Sequence, residues 1–179
     1  MVEQLWEEFH VPENVRQHCL EVARVCRFIG ERIPGVDLDL LSKAALLHDL
    51  VRVCDFKDFE TDDEDLKFLR KKYRGRGHEE AAAEILAGRG EKKLADLVKS
   101  HKFSNIAALK SWEEKILYYA DKRVEGDRVV SLEERLDRGR ERNAVTIEER
   151  RVSDEVRPKV FELEKEVCRE AGIELKNIK

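Results

Sequence analysis

The chain has 179 residues, a length that suits about one domain. Hydrophobic residues make up 41% and charged residues another 41%, which is too apolar for a disordered chain and too charged for a membrane span. With 35 basic and 39 acidic side chains the formal net charge is −4, so the molecule as a whole carries no positive field to draw nucleic acid.

The first ten residues, MVEQLWEEFH, place acids where a signal peptide needs a basic start, and a cytoplasmic location is the expectation. Gly and Pro are scarce while Leu, Glu, Lys, Arg and Ala dominate, which predicts an all-α protein. Pro12 suits a first helical turn, and Val15, Leu20, Val22, Val25, Phe28 and Ile29 then recur at spacings near three and four, giving a core-facing helix over 12 to 32. Pro34 and Gly35 stop it. Asp37 or Asp39 caps a second helix, LDLLSKAALLHDLVRV, which is apolar on nearly every side and is expected to run through the middle of the fold. Residues 54 to 65 mix acids with Phe56 and Phe59 without a period and read as a loop near a site. A charged helix over 63 to 73, the break RGRG, and helices from 78 and from 91 to 101 follow, the last two separated at Gly88 and Gly90. Ser111 with Glu114 and Ser131 with Glu134 form capping-box signatures that open two more helices, the first ending near 124. The segment 146 to 171 reads as one long amphipathic helix, bent near Pro158.

His48 and Asp49 stand out because the helix that carries them has no polar face. An unpaired carboxylate among apolar residues costs several kcal/mol, so Asp49 needs a cation, a hydrogen-bond network or a proton. A divalent metal is the most economical of these. Asp121, embedded in KILYYADKRV, poses the same problem. Histidines 18, 78 and 101 lie on or at the edges of other predicted helices, and helical bundles do assemble metal sites from distant positions. The cysteines at 19, 26, 54 and 168 show no zinc-ribbon spacing and read as packing residues.

This order, His18, the doublet His48-Asp49, then Asp121, resembles the HD superfamily of metal-dependent phosphohydrolases, whose pattern is H…HD…D. The segment ALLHDL is a close local match. His78 in GHEEAAAEIL and His101 in VKSHKF resemble the extra histidines of the two-metal subgroup H…HD…H…H…D. The resemblance implies that His18, His48 and Asp121 complete one metal's shell, that His78 and His101 serve a second, and that Asp49 bridges the two. A shell of imidazoles and carboxylates suits one or two divalent transition ions such as iron, manganese, nickel, cobalt or zinc. The implied chemistry is phosphoester or phosphoanhydride hydrolysis by a metal-activated hydroxide.

The sequence departs from many relatives after the doublet, where Val51 and Arg52 replace the usual glycine and lysine. Arg52 reads either as a phosphate ligand or as a solvated charge on a helix face. Lys122 and Arg123 are about 100° apart on a helix, so one of them at most faces a substrate; Arg16 and Lys102 are further candidates of that kind. Trp6 and Trp112 read as packing anchors, His10 as a surface residue. The basic run RKKYRGRG is a solvated loop or a phosphate-attracting rim before His78. The stripe Val152, Val156, Val160, Leu163 and Val167 packs back onto the core or forms a homodimer seam.

The expected architecture is an all-α HD-domain helical bundle: residues 1–130 as the metal-binding part and 131–179 as C-terminal helices packed on it, one structural domain in all. The expected function is a metal-dependent phosphohydrolase acting on a phosphorylated small molecule, a nucleotide or dinucleotide, with Asp49, Arg52 and Lys122 as catalytic residues. An HD-type di-iron oxygenase, a nucleotide-sensing module without turnover and a purely structural metal site are the alternatives.

Overall fold

The computed structural model describes residues 1–56 and 60–178, and they are helical with one short hairpin. Helix α1 (Val2–Glu8) precedes α2 (Glu13–Gly30), where Pro12 stands at the N-cap, just outside the first turn. Val15, Cys19, Val22, Val25, Cys26 and Ile29 are its buried face, at the spacing a helix gives to one side. Asp37 caps α3 (Leu38–Leu47) by accepting from the Leu40 N–H at 3.0 Å. After a turn comes a 3₁₀ segment (Arg52–Asp55), then α4 (Glu64–Tyr73), α5 (His78–Gly88) and α6 (Lys92–Ser100). A second 3₁₀ segment (Phe103–Ala108) leads to α7 (Trp112–Asp121), which opens with the complete Ser111/Glu114 capping box.

The hairpin follows at once. Strands β1 (Val124–Glu125) and β2 (Arg128–Val129) pair antiparallel around Gly126-Asp127, and the tight loop sets Gly126 at φ +62°, a conformation open to glycine. Helix α8 (Leu132–Asn143) is capped by Ser131, whose hydroxyl accepts from the Glu134 N–H without the reciprocal bond of a full box. Helix α9 (Ile147–Ala171) has the full box at Thr146/Glu149, runs through Pro158 without interruption, and ends at Gly172 in the left-handed conformation. No helix among the described residues is long and apolar enough to cross a membrane.

Helices α2, α3 and α7 pack on one another, α6 packs on α3 and α5, and α9 lies against α7. One apolar cluster joins residues from Leu5 to Ile178, including Leu132, Leu136, Val156, Val160, Leu163 and Val167 of the last two helices. Residues 2–8, where the sequence carries no clear element signal, form a helix that buries Leu5 and Trp6. Two expectations need correction. The second helix ends at Leu47, not near 53, so the His48-Asp49 doublet sits in the turn that follows it. The helix expected to end near 124 stops at Asp121, and the chain there forms the hairpin. Of the expected 54 to 65 loop, residues 57 to 59, Phe59 among them, lie outside the described residues, and Cys54 and Asp55 belong to the 3₁₀ segment.

Candidate metal centre

Most of the six singled-out side chains are delivered by the ends of helices. His48 and His101 are the C-cap residues of α3 and α6, Asp121 closes α7, and His78 opens α5. Asp49 lies one residue beyond α3, and His18 alone comes from the interior of a helix, α2. Helix ends suit this purpose because their last carbonyls and first N–H groups lack intrahelical partners and can orient a neighbouring side chain.

That orientation is uniform across the four imidazoles. His48 Nδ1 donates to the Ala45 carbonyl at 2.8 Å, His101 Nδ1 to the Val98 carbonyl, His18 Nδ1 to the Gly126 carbonyl of the hairpin at 2.9 Å, and His78 Nδ1 to Asp55 Oδ2 at 2.6 Å. A carbonyl or carboxylate oxygen only accepts, so each Nδ1 carries its hydrogen and each Nε2 is left to face inward. The Nε2 atoms converge. That of His18 lies 3.2 Å from Asp121 Oδ1, that of His78 lies 3.0 Å from Asp49 Oδ1, and the His78 and His101 Nε2 atoms are 3.2 Å apart. His48 Nε2 sits between the carboxylates, 3.7 Å from Asp49 Oδ2 and 3.8 Å from Asp121 Oδ1. The ligand-capable atoms of His18, His48 and Asp121 form one group within reach of a single ion, and those of His48, Asp49 and His101 form another.

His48 Nε2 also tests whether this donor set fits a cation. It is the one buried side-chain nitrogen or oxygen among the described residues that lacks a hydrogen-bond partner, and its ring is fully buried. An orphaned imidazole nitrogen flanked by two carboxylates and two further imidazole nitrogens is what a bound divalent ion would satisfy. The residues fit.

Burial opposes the charged form of Asp49, Asp121, His48, His78 and His101, and their neighbours decide which of these groups keep it. Asp49 is driven upward by burial but held well below the ordinary carboxylate range by His48, His78 and Arg52. In Asp121 burial is likewise outweighed, by Lys122 and by hydrogen bonding from His18. His48 and His78 rise against the pull of burial because Asp49 faces both. His101 goes the other way: burial, then the neighbouring His48 and His78 charges, push its pKa well down and keep the ring neutral. The two carboxylates and the His101 imidazole are held in the protonation state that metal binding requires, whereas His48 and His78, raised by the same carboxylates, would release a proton on binding a cation.

The surrounding cations divide. Arg52 Nη1 lies 2.9 and 3.3 Å from the two ring nitrogens of His78, which places the guanidinium across that ring. Lys122 faces the cluster: its Nζ bonds Asp121 Oδ2 and rests 4.7 Å from the centre of the Tyr118 ring. Arg123 turns away, toward Glu164, the Tyr119 hydroxyl and the Val130 carbonyl. Lys102 reaches Glu80 on the surface. In the basic run, Arg70 donates to the Phe56 carbonyl and Arg76 pairs with Glu84. His10 lies apart from the cluster, with Nδ1 3.0 Å from Asp63.

Arg16 is committed elsewhere. It donates to the carbonyls of Val11 and Trp6 and lies over the Trp6 indole, whose N–H in turn reaches the Leu46 carbonyl at 2.9 Å. Arg16→Ala is therefore expected to lower stability by about 1–2 kcal/mol through the lost hydrogen bonds and cation–π contact, with metal content unchanged. Urea unfolding and elemental analysis of the same preparation check both halves; reduced metal at full stability would contradict the assignment.

Two residues near the centre escaped the sequence reading. Asp55 and Glu79 both approach His78 Nδ1, at 2.6 and 3.5 Å. Asp55 lies in an acidic stretch without period, and nothing in that stretch distinguishes it from its neighbours. The hairpin that offers the Gly126 carbonyl to His18 was missed for a different reason, since two-residue strands leave almost no alternation to detect.

The model of the family described as HD domain matches residues 15–139, a span that contains all six clustered side chains and Asp55. No curated protein and no solved structure matches the chain.

Proposed function

Since the chain belongs to the HD domain family, we propose that it is a metal-dependent phosphohydrolase acting on a phosphorylated small molecule of the nucleotide or dinucleotide class. The observation that carries this reading is the unpartnered His48 Nε2, with His18 and Asp121 grouped on one side of it and Asp49 and His101 on the other, and with His78 joined to the second group through Asp49 Oδ1 and His101 Nε2. His18, His48 and Asp121 would hold one divalent ion and His78 and His101 a second. Asp49 turns Oδ1 toward the His78 side and Oδ2 toward the His48 side, which suits it to serve both. Divalent transition ions bound there supply Lewis acidity toward a phosphoryl oxygen and lower the pKa of water toward neutrality. Arg52, beside His78 and partly open to solvent, presents a planar cationic fork to anionic oxygens. Lys122 is the second cation facing the centre, and its pairing with Asp121 steadies that carboxylate.

A small phosphorylated substrate fits better than a nucleic acid because the acidic chain offers no extended positive field. The test is a panel of nucleotides and dinucleotides given to chelator-stripped protein before and after manganese, iron, cobalt, nickel or zinc is restored, under anaerobic conditions. Phosphate release that requires the ion and proceeds without oxygen is the expected result. Turnover only in oxygen would favour the oxygenase reading, and silence across the panel with tight nucleotide binding would favour a sensor.

A further inference from the structure

His78 differs from the other three histidines in what holds its ring. His48 and His101 stand at helix C-termini and borrow a carbonyl three residues back in their own helix, from Ala45 and Val98. His78 is the first residue of α5, where the helix presents N–H groups and no free carbonyl. Its Nδ1–H finds its near acceptor on another element, Asp55 Oδ2 at 2.6 Å, while Glu79 of its own helix stays at 3.5 Å. We propose that Asp55 is the positioning residue for His78 and sets the affinity of the half of the centre formed by His78 and His101. This rests on the metal-centre reading above.

The geometry is a clamp by a single atom. Asp55 Oδ2 accepts the backbone N–H of His78 at 3.2 Å and its ring Nδ1–H at 2.6 Å, fixing both the start of the helix and the rotation of the imidazole. Nε2 is thereby aimed at Asp49 Oδ1 and at His101 Nε2. The local cap position cannot do this work. Gly77 has φ +80° and no side chain, and a Cβ there would lie 2.9 Å from Glu79 Oε2. The first turn of α5 thus lacks a cap of its own, and Asp55, 23 residues earlier, supplies one from the 3₁₀ segment that follows the His48-Asp49 turn. A carboxylate acceptor is also suited to the positive end of a helix, and it raises the donor strength of the far ring nitrogen. Because Asp55 and Asp49 belong to one short stretch of chain, the clamp ties the His78 helix to the doublet.

Zinc titration of chelator-stripped, tag-free protein against a chromophoric competitor tests the proposal. His78→Ala identifies which of two wild-type binding events belongs to that half. Asp55→Ala should weaken that event by about 10- to 100-fold and leave the other within about threefold. Asp55→Asn, whose amide oxygen still accepts but carries no charge, should weaken that event clearly less than Asp55→Ala does. Unchanged affinities in Asp55→Ala, or equal weakening of both events, would overturn the proposal, the second outcome marking Asp55 as merely structural. Should Asp55→Ala not fold, ¹⁵N spectra of histidine-labelled, zinc-loaded wild type decide instead: a hydrogen on His78 Nδ1 supports the clamp and one on Nε2 overturns it. Failure of the wild type to bind zinc at all would defeat the metal-centre reading itself, and this inference with it.

Discussion

Asp49→Ala should lose bound metal and turnover together. Asp49 is the carboxylate shared by both sides of the cluster, with Oδ1 3.0 Å from His78 Nε2 and 3.8 Å from His101 Nε2 and Oδ2 3.7 Å from His48 Nε2. It is only 8% exposed, so water cannot stand in for the lost charge. Removing one partner from a buried, compensated set of charges costs about 3–5 kcal/mol, which is two to three and a half orders of magnitude in the affinity for a cation. Asp49→Asn separates charge from shape, since it keeps the volume and one acceptor oxygen but removes the negative charge. It should fold as wild type does and still bind metal poorly. Elemental analysis of each purified variant gives ions per chain, and thermal unfolding shows whether the fold survives. Wild-type metal content in folded Asp49→Ala would remove this residue from the centre.

The cluster could be read from the sequence because its members break the local rules of their segments. His48 and Asp49 lie within a run of apolar residues, Asp121 follows one, and the order H…HD…H…H…D adds a second, independent pattern. Where α3 ends could not be read in the same way. Leu47, Leu50, Val51 and Val53 are all buried, so the apolar run continues through the turn and no glycine or proline marks the stop. Hydrophobicity reports burial there and is silent on helix period. The end of the helix matters for function, since it places His48 at the C-cap, where the Ala45 carbonyl is free to orient its ring.

Arg16 and Asp55 show the opposite limit. Arg16 near His18 looks available to a phosphate in sequence, but its fork is taken by carbonyls of α1 and of the corner after it, which the sequence did not reveal as structured. Asp55 has its partner 23 residues away, and the need for that partner arises only from the φ of Gly77 and the absence of a carbonyl at a helix start. Such requirements belong to tertiary geometry. No local pattern encodes them.

Glu164→Ala is the second large effect to expect, and it bears on the role of residues 131–179. Glu164 is a buried acid on α9 whose Oε1 accepts from the Tyr119 hydroxyl at 2.9 Å and from Arg123 Nη1 at 3.1 Å, while Arg123 also reaches the Tyr119 hydroxyl and the Val130 carbonyl. Tyr119 and Arg123 stand two residues to either side of Asp121. We propose that the C-terminal helices act as the anchor that holds the end of α7, and so the Asp121 carboxylate, in place. Truncation to alanine leaves the Arg123 guanidinium buried without its counter-charge, a loss of about 3–5 kcal/mol, which is a large part of the 5–15 kcal/mol that typically separates folded from unfolded chains. For a chain of this length that corresponds to a fall of roughly 6–20 °C in Tm. The triple variant Tyr119→Phe, Arg123→Met, Glu164→Leu should recover most of the loss, because it removes the ion pair together with the buried hydroxyl that both charged groups hold. Differential scanning calorimetry of the three proteins decides it: a Glu164→Ala variant that melts with wild type would show that α9 is not tied to the centre through this network.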